Sequence, residues 1–113
     1  MLIRNSAAAL FAISALFLAT LPAYAAEKQP SIALGKKLFE DKSLGTSGKS
    51  CASCHKPDAI GGLAAKKSWF GEEAKTLEQA INVCITGPLA GKALPEGSVE
   101  AKSMAMYMRS MIK

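Results

Sequence analysis

Cys51-Ala52-Ser53-Cys54-His55 is the stretch that decides the fold of this chain. It is the C-x-x-C-H pattern of covalent c-type haem attachment, in which each thiol bonds to one vinyl group and the histidine is the proximal iron ligand. A thioredoxin-like motif would need a neighbouring βαβ pattern, which this sequence lacks. A zinc site would need four ligands, and only Cys84 remains because His55 is the sole histidine. The motif therefore predicts one haem c, bound covalently through Cys51 and Cys54 and coordinated by His55.

The amino-terminal residues predict export. Arg4 precedes an uncharged apolar run from Ala7 to Leu21, and Ala23-Tyr24-Ala25 has the A-x-A form of a signal-peptide cleavage site. The run is short for a bilayer span, so an uncleaved anchor is the less favoured alternative. We divide the chain into a secretory signal peptide, residues 1–25, and a monohaem cytochrome c domain, residues 26–113, with no stable membrane span after cleavage. Because c-type haem is attached outside the cytoplasmic membrane, the motif and the signal both predict a periplasmic protein.

Charge and length limit the classes of partner. The full chain has a formal net charge of +5, and a domain of this size buries only a modest core, which a porphyrin would complete. A basic rim near the motif would attract an acidic redox partner, although an ordinary solvated surface explains the same lysines equally well. No nucleic-acid-binding motif is present, so nucleic acid is not expected as a partner. The lysines concerned are Lys36, Lys37, Lys49, Lys56, Lys66, Lys67 and Lys92.

Periodicity and capping residues predict helices and no strands. Three helices are expected, beginning after Ser31, Thr76 and Ser98. The first should reach about Lys42 and the last about Ile112. Residues 44–50 and 86–97 are predicted loops, and Pro57 with the Gly61-Gly62 pair predicts irregular backbone over residues 56–62. Trp69 and Phe70 are expected in the core or at the haem edge.

The outer helices carry a packing signature. Gly35 and Phe39 are one turn apart, and Met104 and Tyr107 lie on the last helix. These residues resemble the contact between the terminal helices of class I cytochromes c. The resemblance implies an all-α, class I cytochrome c-like fold, with helices wrapped around one covalently bound haem c.

The distal ligand is the open question. No methionine or histidine lies between His55 and Met104, so the loop methionine of class I cytochromes c is missing. Cys84 is the third, unpaired cysteine, and from the residues alone it is a thiolate ligand to iron, a buried thiol or half of an intermolecular disulfide. The remaining minor candidates for the distal ligand are Asn82, Lys92 and the methionines of the last helix. Met104, Met108 and Met111 share a helix face typical of core packing, and Met106 points elsewhere.

A resemblance favours the first of these roles for Cys84. Residues 76–84 (TLEQAINVC), with Gly91–Pro95 (GKALP), Ser98-Val99-Glu100 and Tyr107, are similar to the distal half of haem domains in thiosulfate dehydrogenases and the SoxA family. The cysteine matching Cys84 is the distal haem ligand there, which implies His/Cys coordination.

The chain also resembles small monohaem His/Cys cytochromes of the NaxL and NaxS type, which form heterodimers and bind nitric oxide. It departs from the sulfur enzymes at Ala80, where they have a basic residue, and this loss argues against an anionic substrate.

These patterns predict a periplasmic monohaem cytochrome for electron transfer. Its reduction potential should be low, because an anionic thiolate such as that of Cys84 stabilises ferric iron. One alternative is a sensor in which NO or CO displaces Cys84 after reduction. Another is a haem subunit of a heterodimeric sulfur- or nitrogen-cycle complex, with a second small cytochrome c as partner. The sequence contains no recognisable nucleophile–base or general-acid pair, so an independent enzyme is not expected.

Overall fold

The structure is a computed structural model that describes residues 29–113. This part of the chain contains five α-helices and no β-strand, which confirms the all-α prediction. The predicted signal peptide, residues 1–25, lies outside the described residues. Within them, no helix has the length and apolar character that a membrane span requires. The helices are α1 (Ile32–Phe39), α2 (Cys51–Cys54), α3 (Pro57–Ala64), α4 (Leu77–Thr86) and α5 (Val99–Ser110).

The three predicted helix starts are confirmed. The side-chain oxygens of Ser31, Thr76 and Ser98 each accept a hydrogen bond from the backbone N–H three residues later, at 3.0, 3.1 and 3.2 Å. Such bonds satisfy N–H groups that have no partner inside the helix. Helix α1 ends earlier than predicted, because the Asp41 carboxylate accepts a hydrogen bond from the Ser43 N–H at 2.8 Å and holds the chain in a turn.

The prediction of irregular backbone over residues 56–62 is wrong. Pro57 is the first residue of α3, a position where the missing N–H of proline costs nothing. Gly61 is buried inside the helix, and a Cβ added there would overlap the carbonyl group of Met111. The glycine therefore allows α3 to approach the end of α5 closely. Packing between distant segments overrides the weak local helix preference of this stretch.

Helices α1 and α5 cross at the predicted contact. Gly35 faces α5, and a Cβ added there would overlap the Ser103 carbonyl oxygen and lie 2.7 Å from the Tyr107 Cβ. One turn further along, the rings of Phe39 and Tyr107 meet edge to face with centroids 5.4 Å apart. The backbone N–H of Ser31 donates to the buried Ser103 hydroxyl at 3.0 Å. The close crossing brings Phe39 and the methionines of α5 into one core.

A substitution at Gly35 tests this crossing. We expect Gly35→Ala to lower the free energy of unfolding by about 1–3 kcal/mol, because the added methyl group must push α1 away from α5. Gly62→Ala is the matched control, since Gly62 lies in α3 and an added Cβ meets no atom within 4 Å. The control should be neutral or stabilising by up to about 1 kcal/mol. Denaturant unfolding of the holoprotein measures both, and equal stabilities for the two variants would contradict the proposed crossing.

Candidate haem site

An open apolar cleft lies between the helices, and it encloses about 480 Å³ of space when the solvent at its mouth is counted. Its wall is formed by hydrophobic and aromatic side chains, together with two thiols and one imidazole. Helix α4 contributes one face, and α5 contributes two methionines. The lining residues are Phe39, Cys51, His55, Leu63, Trp69, Phe70, Leu77, Ala80, Ile81, Cys84, Met104 and Met108.

The C-x-x-C-H motif folds as the one-turn helix α2, capped from its own side chains. The Ser50 N–H donates to the Ser53 hydroxyl at 2.9 Å, and the His55 N–H donates to the Cys51 carbonyl at 2.9 Å. Cys51 and His55 are four residues apart, so they share one side of the turn, and both line the cleft. Cys54 is exposed and is not part of the lining.

Helix α4 directs Cys84 into the same cleft. Leu77, Ala80, Ile81 and Cys84 recur at helical spacing and all four line the cavity. Cys84 is half-buried and lies inside α4, two residues before the helix ends at Thr86. The structure therefore brings Cys51, His55 and Cys84 together from two helices, although Cys51 and Cys84 are 33 positions apart in the sequence.

The three cysteines are all free and their thiols influence one another. Burial, together with a smaller contribution from the nearby Cys84, raises the pKa of the Cys51 thiol to about 11. Burial also raises the pKa of Cys84, with a smaller contribution from Cys54. In the protein alone the raised pKa values keep the Cys51 and Cys84 thiols neutral at pH 7, and a bound cation would be needed to favour the thiolate of Cys84.

The donors and the walls of the cleft fit a haem group. Cys51 and His55 of the motif line the cleft, and Cys54 lies outside its lining; the three together would supply the attachment and proximal-ligand chemistry. Cys84 supplies a third sulfur, and the apolar walls suit a flat hydrophobic ring. Cys51 and Cys54 would hold the ring, with His55 and Cys84 as candidate ligands to its iron.

The methionines of the last helix fall into a group that packs in the core and one residue that is exposed, as their spacing predicts. Met104 is fully buried, Met108 is 7% exposed, and both line the cleft, while Met111 packs half-buried against the core. Met106 is 39% exposed and points away from the core. Met104 and Met108 therefore act as core residues that also form part of the cleft wall.

Asn82 and Lys92 do not face the cleft. The side-chain amide of Asn82 is hydrogen-bonded on both sides to the backbone of Leu94, at 2.9 and 2.8 Å. Lys92 is exposed. Neither residue lines the cavity, so the minor distal-ligand assignments made for them from the sequence are not supported by the geometry. In the sequence, Asn82 stands out as a polar residue two positions before Cys84, within the segment 76–84 that carries the resemblance.

Trp69 and Phe70 border the cleft, as predicted. The Trp69 indole N–H donates to the Leu63 carbonyl at 2.8 Å, which fixes the ring against α3. Phe70 is 49% exposed and has a φ of 53°, and Glu72 has a φ of 79°. Left-handed backbone at residues other than glycine is strained and must be held by its surroundings. Here two hydrogen bonds between the backbones of Trp69 and Ala74, at 2.9 and 3.2 Å, close the turn.

One family profile, described as di-haem cytochrome c peroxidase, matches residues 29–86. The match covers just over half of the chain and includes both the C-x-x-C-H motif and Cys84. No curated protein and no solved structure matches the chain. The finer resemblance to NaxL and NaxS cytochromes and to SoxA and thiosulfate dehydrogenase domains stays a prediction. The family match supports haem c as the cofactor, in agreement with the lining of the cleft. The chain thus belongs to the di-haem cytochrome c peroxidase family, a family of c-type cytochromes.

Proposed function

We propose that the protein is a periplasmic monohaem c-type cytochrome that transfers electrons at low potential. One haem c would be bonded to Cys51 and Cys54, with His55 and Cys84 as axial ligands. The observation that carries the proposal is the convergence of His55, the residue after α2, and Cys84 of α4 on a single apolar cleft. Thiols suit the covalent attachment of haem, an imidazole suits the proximal position, and a thiolate suits the distal position.

The cleft favours electron transfer through its physical character. Haem supplies a one-electron centre when bound. The apolar side chains of α4 and α5 line the site, so the charges of bound ligands would lie beside a wall of low dielectric. A thiolate from Cys84 would stabilise the ferric state more than the ferrous state, which lowers the reduction potential.

We propose that the chain by itself is not an enzyme, even though its family is named for a peroxidase. Cleavage of peroxide needs a side chain that moves protons beside the iron. Among residues 29–113, the titratable side chains that line the cleft are Cys51, His55 and Cys84. In this proposal each of them is already taken up in binding the cofactor. Steady-state consumption of hydrogen peroxide by the holoprotein, well above that of its denatured form, would contradict this proposal.

The proposed compartment follows from the amino-terminal sequence and from the attachment chemistry. Cleavage after Ala25 would leave a mature protein that begins at Ala26. Amino-terminal sequencing of the mature protein tests this directly, and a protein that retains residues 1–25 in the cytoplasm would contradict it.

An acidic redox partner fits the distribution of charge. Lys56 follows His55 directly, Lys49 precedes α2, and both are exposed. All the lysines that the sequence places near the motif are exposed, so they are available to a partner. A heterodimer with a second small cytochrome c is the alternative partnership, and the mass of the native protein in solution separates a complex from a monomer.

A second candidate function is the binding of NO or CO. The specific observation in its favour is that the cleft is open and that its wall is almost wholly apolar, which suits a small uncharged ligand better than an anion. Displacement of Cys84 after reduction would provide the vacant position.

Replacement of Cys84 tests the proposed coordination. We expect the ferric wild-type protein to show the electron paramagnetic resonance spectrum of a low-spin thiolate complex, and Cys84→Ala to lose it. The reduction potential should rise by on the order of 0.1 V, since axial ligands set haem potentials over about 0.8 V. Met108→Leu is the matched control, because it alters the same cleft and leaves the thiol in place.

The same variants test the attachment and the methionine alternative. Haem should remain on the denatured chain in Cys84→Ala, whereas Cys51→Ala should lose one covalent link. A near-infrared iron–methionine band in the wild type, unchanged in Cys84→Ala, would contradict thiolate ligation. Loss of that band in Met104→Leu or Met108→Leu would identify the methionine responsible.

The positive charge of the lysines near the motif should affect the rate of electron transfer to a charged oxidant. We expect oxidation of the ferrous protein by hexacyanoferrate(III), an anion, to slow several-fold as ionic strength rises from about 0.01 to about 0.1 M. Lys56→Glu should slow the low-salt reaction more than Lys102→Glu, since Lys102 precedes Met104 by two residues and lies on the side of α5 away from the cleft. Equal rates for the two variants would remove the support for a basic docking rim.

Titration of the reduced protein with CO or NO under anaerobic conditions tests the second function. Binding to the wild type, seen as a shift of the Soret band, would support gas sensing. Cys84→Ala should bind with a faster rate, because the competing side chain has been removed. Failure of the wild type to bind while Cys84→Ala binds would leave electron transfer as the function.

A further inference from the structure

Asn82 lies on the side of α4 opposite to Cys84. An α-helix turns by about 100° per residue, so side chains two positions apart point about 200° apart. Cys84 lines the cleft and Asn82 does not. Any contact that holds Asn82 in place therefore also fixes the rotation of α4, and with it the direction of the Cys84 side chain.

The contact of Asn82 is a two-point hydrogen-bonded clamp on Leu94. Its Nδ2 donates to the Leu94 carbonyl oxygen at 2.9 Å, and the Leu94 N–H donates to Asn82 Oδ1 at 2.8 Å. The pair joins positions that are 12 residues apart, and Leu94 packs half-buried against the core. Two bonds to the backbone of one residue define the orientation of the side-chain amide as well as its position.

The loop that contains Leu94, residues 87–97, returns along α4. The Leu89 N–H donates to the Cys84 carbonyl at 3.2 Å, and the Gly91 N–H donates to the Ile85 carbonyl at 2.7 Å. Near its end, the Gly97 N–H reaches the carboxylate of Glu78 at 3.3 Å. Between Gly91 and Gly97, the Asn82 clamp holds the loop against the helix.

The start of the same loop is tied to the segment that leads into the haem motif. Gly45 and Gly91 pair as an antiparallel bridge. The Thr46 and Ser47 N–H groups donate to the Ala90 and Leu89 carbonyls at 3.2 and 3.1 Å. A Cβ on Gly45 would overlap the Leu89 carbonyl, so the two backbones are in direct contact. The loop is thus fixed at one end by the segment before Cys51, and Asn82 carries that constraint to α4.

From this geometry we infer that Asn82 is the positioning residue of the distal ligand: its clamp on Leu94 holds α4 in the rotation that directs Cys84 into the cleft. The inference rests on the proposed His55/Cys84 coordination. Asn82 does not touch the cofactor, and it acts through the loop at residues 87–97. Without the clamp, α4 and the loop would be free to separate, and Cys84 would compete less well with external ligands.

Asn82→Ala tests the clamp, with Gln79→Ala as the matched control. Gln79 is also on α4, and its Oε1 accepts a local hydrogen bond from the Lys75 N–H at 3.0 Å, outside the loop. In ferric Asn82→Ala we expect the affinity for added imidazole to rise on the order of tenfold, the scale of one or two lost hydrogen bonds. The backbone amides of residues 91–97 should exchange hydrogen faster by a similar factor. Gln79→Ala should leave both properties at wild-type values.

Asn82→Asp is a milder variant that keeps the acceptor for the Leu94 N–H and loses the donor to the Leu94 carbonyl. It should raise the imidazole affinity and the amide exchange rate as Asn82→Ala does, but by a smaller factor. Asn82→Asp therefore keeps the test valid where Asn82→Ala does not fold. If both Asn82→Asp and Asn82→Ala show the imidazole affinity and the loop hydrogen exchange of the wild type, the inference is wrong. A wild-type spectrum without thiolate character would instead overturn the proposed coordination, and amide exchange would still report separately whether Asn82 holds the loop.

Discussion

Close contact between helix backbones at two glycines is the constraint on which the rest of this structure depends. Gly35 lets α1 lie against the Ser103 carbonyl of α5, and Gly61 lets α3 lie against the Met111 carbonyl at the end of the same helix. Helix α5 is therefore the common support of the domain. The cleft lies beside this support, and its lining comes from α1, α3 and α4 as well as from α5.

The cleft joins residues whose local structures are independent of one another. Cys51 and His55 are presented by a single capped turn, whereas Cys84 is presented by a separate helix with its own N-cap. Their relative positions depend on the loop at residues 87–97, which is hydrogen-bonded both to the segment before Cys51 and to α4. The two sides of the proposed iron site are thus connected through backbone hydrogen bonds in addition to the core.

The chemical character of the site is the basis of our proposal that this chain by itself lacks the activity in its family's name. A cleft with apolar walls and sulfur and nitrogen donors holds and insulates a redox centre. Proton transfer to a bound substrate needs titratable groups beyond the cofactor ligands. Membership in the family accounts for the fold and the cofactor, while the proposed role as an electron carrier follows from the residues that line this cleft.

The sequence by itself determined the features that depend on neighbouring residues. These are the C-x-x-C-H motif, the three N-caps at Ser31, Thr76 and Ser98, and the apolar face of α4 that includes Cys84. Spacing along one helix and the chemistry of a cap are local, so they can be read without the fold. The contact of Gly35 with α5 was also predictable, although only through resemblance to a known packing pattern.

Only the tertiary structure decided the features that depend on distant segments. Helix α3 forms across the Gly61-Gly62 pair because α5 lies against it, which local propensity cannot indicate. Asn82 appeared in the sequence as a minor ligand candidate, and its role as a clamp became visible only when Leu94 was placed beside it. In each case the deciding interaction joins residues whose proximity is a property of the folded chain.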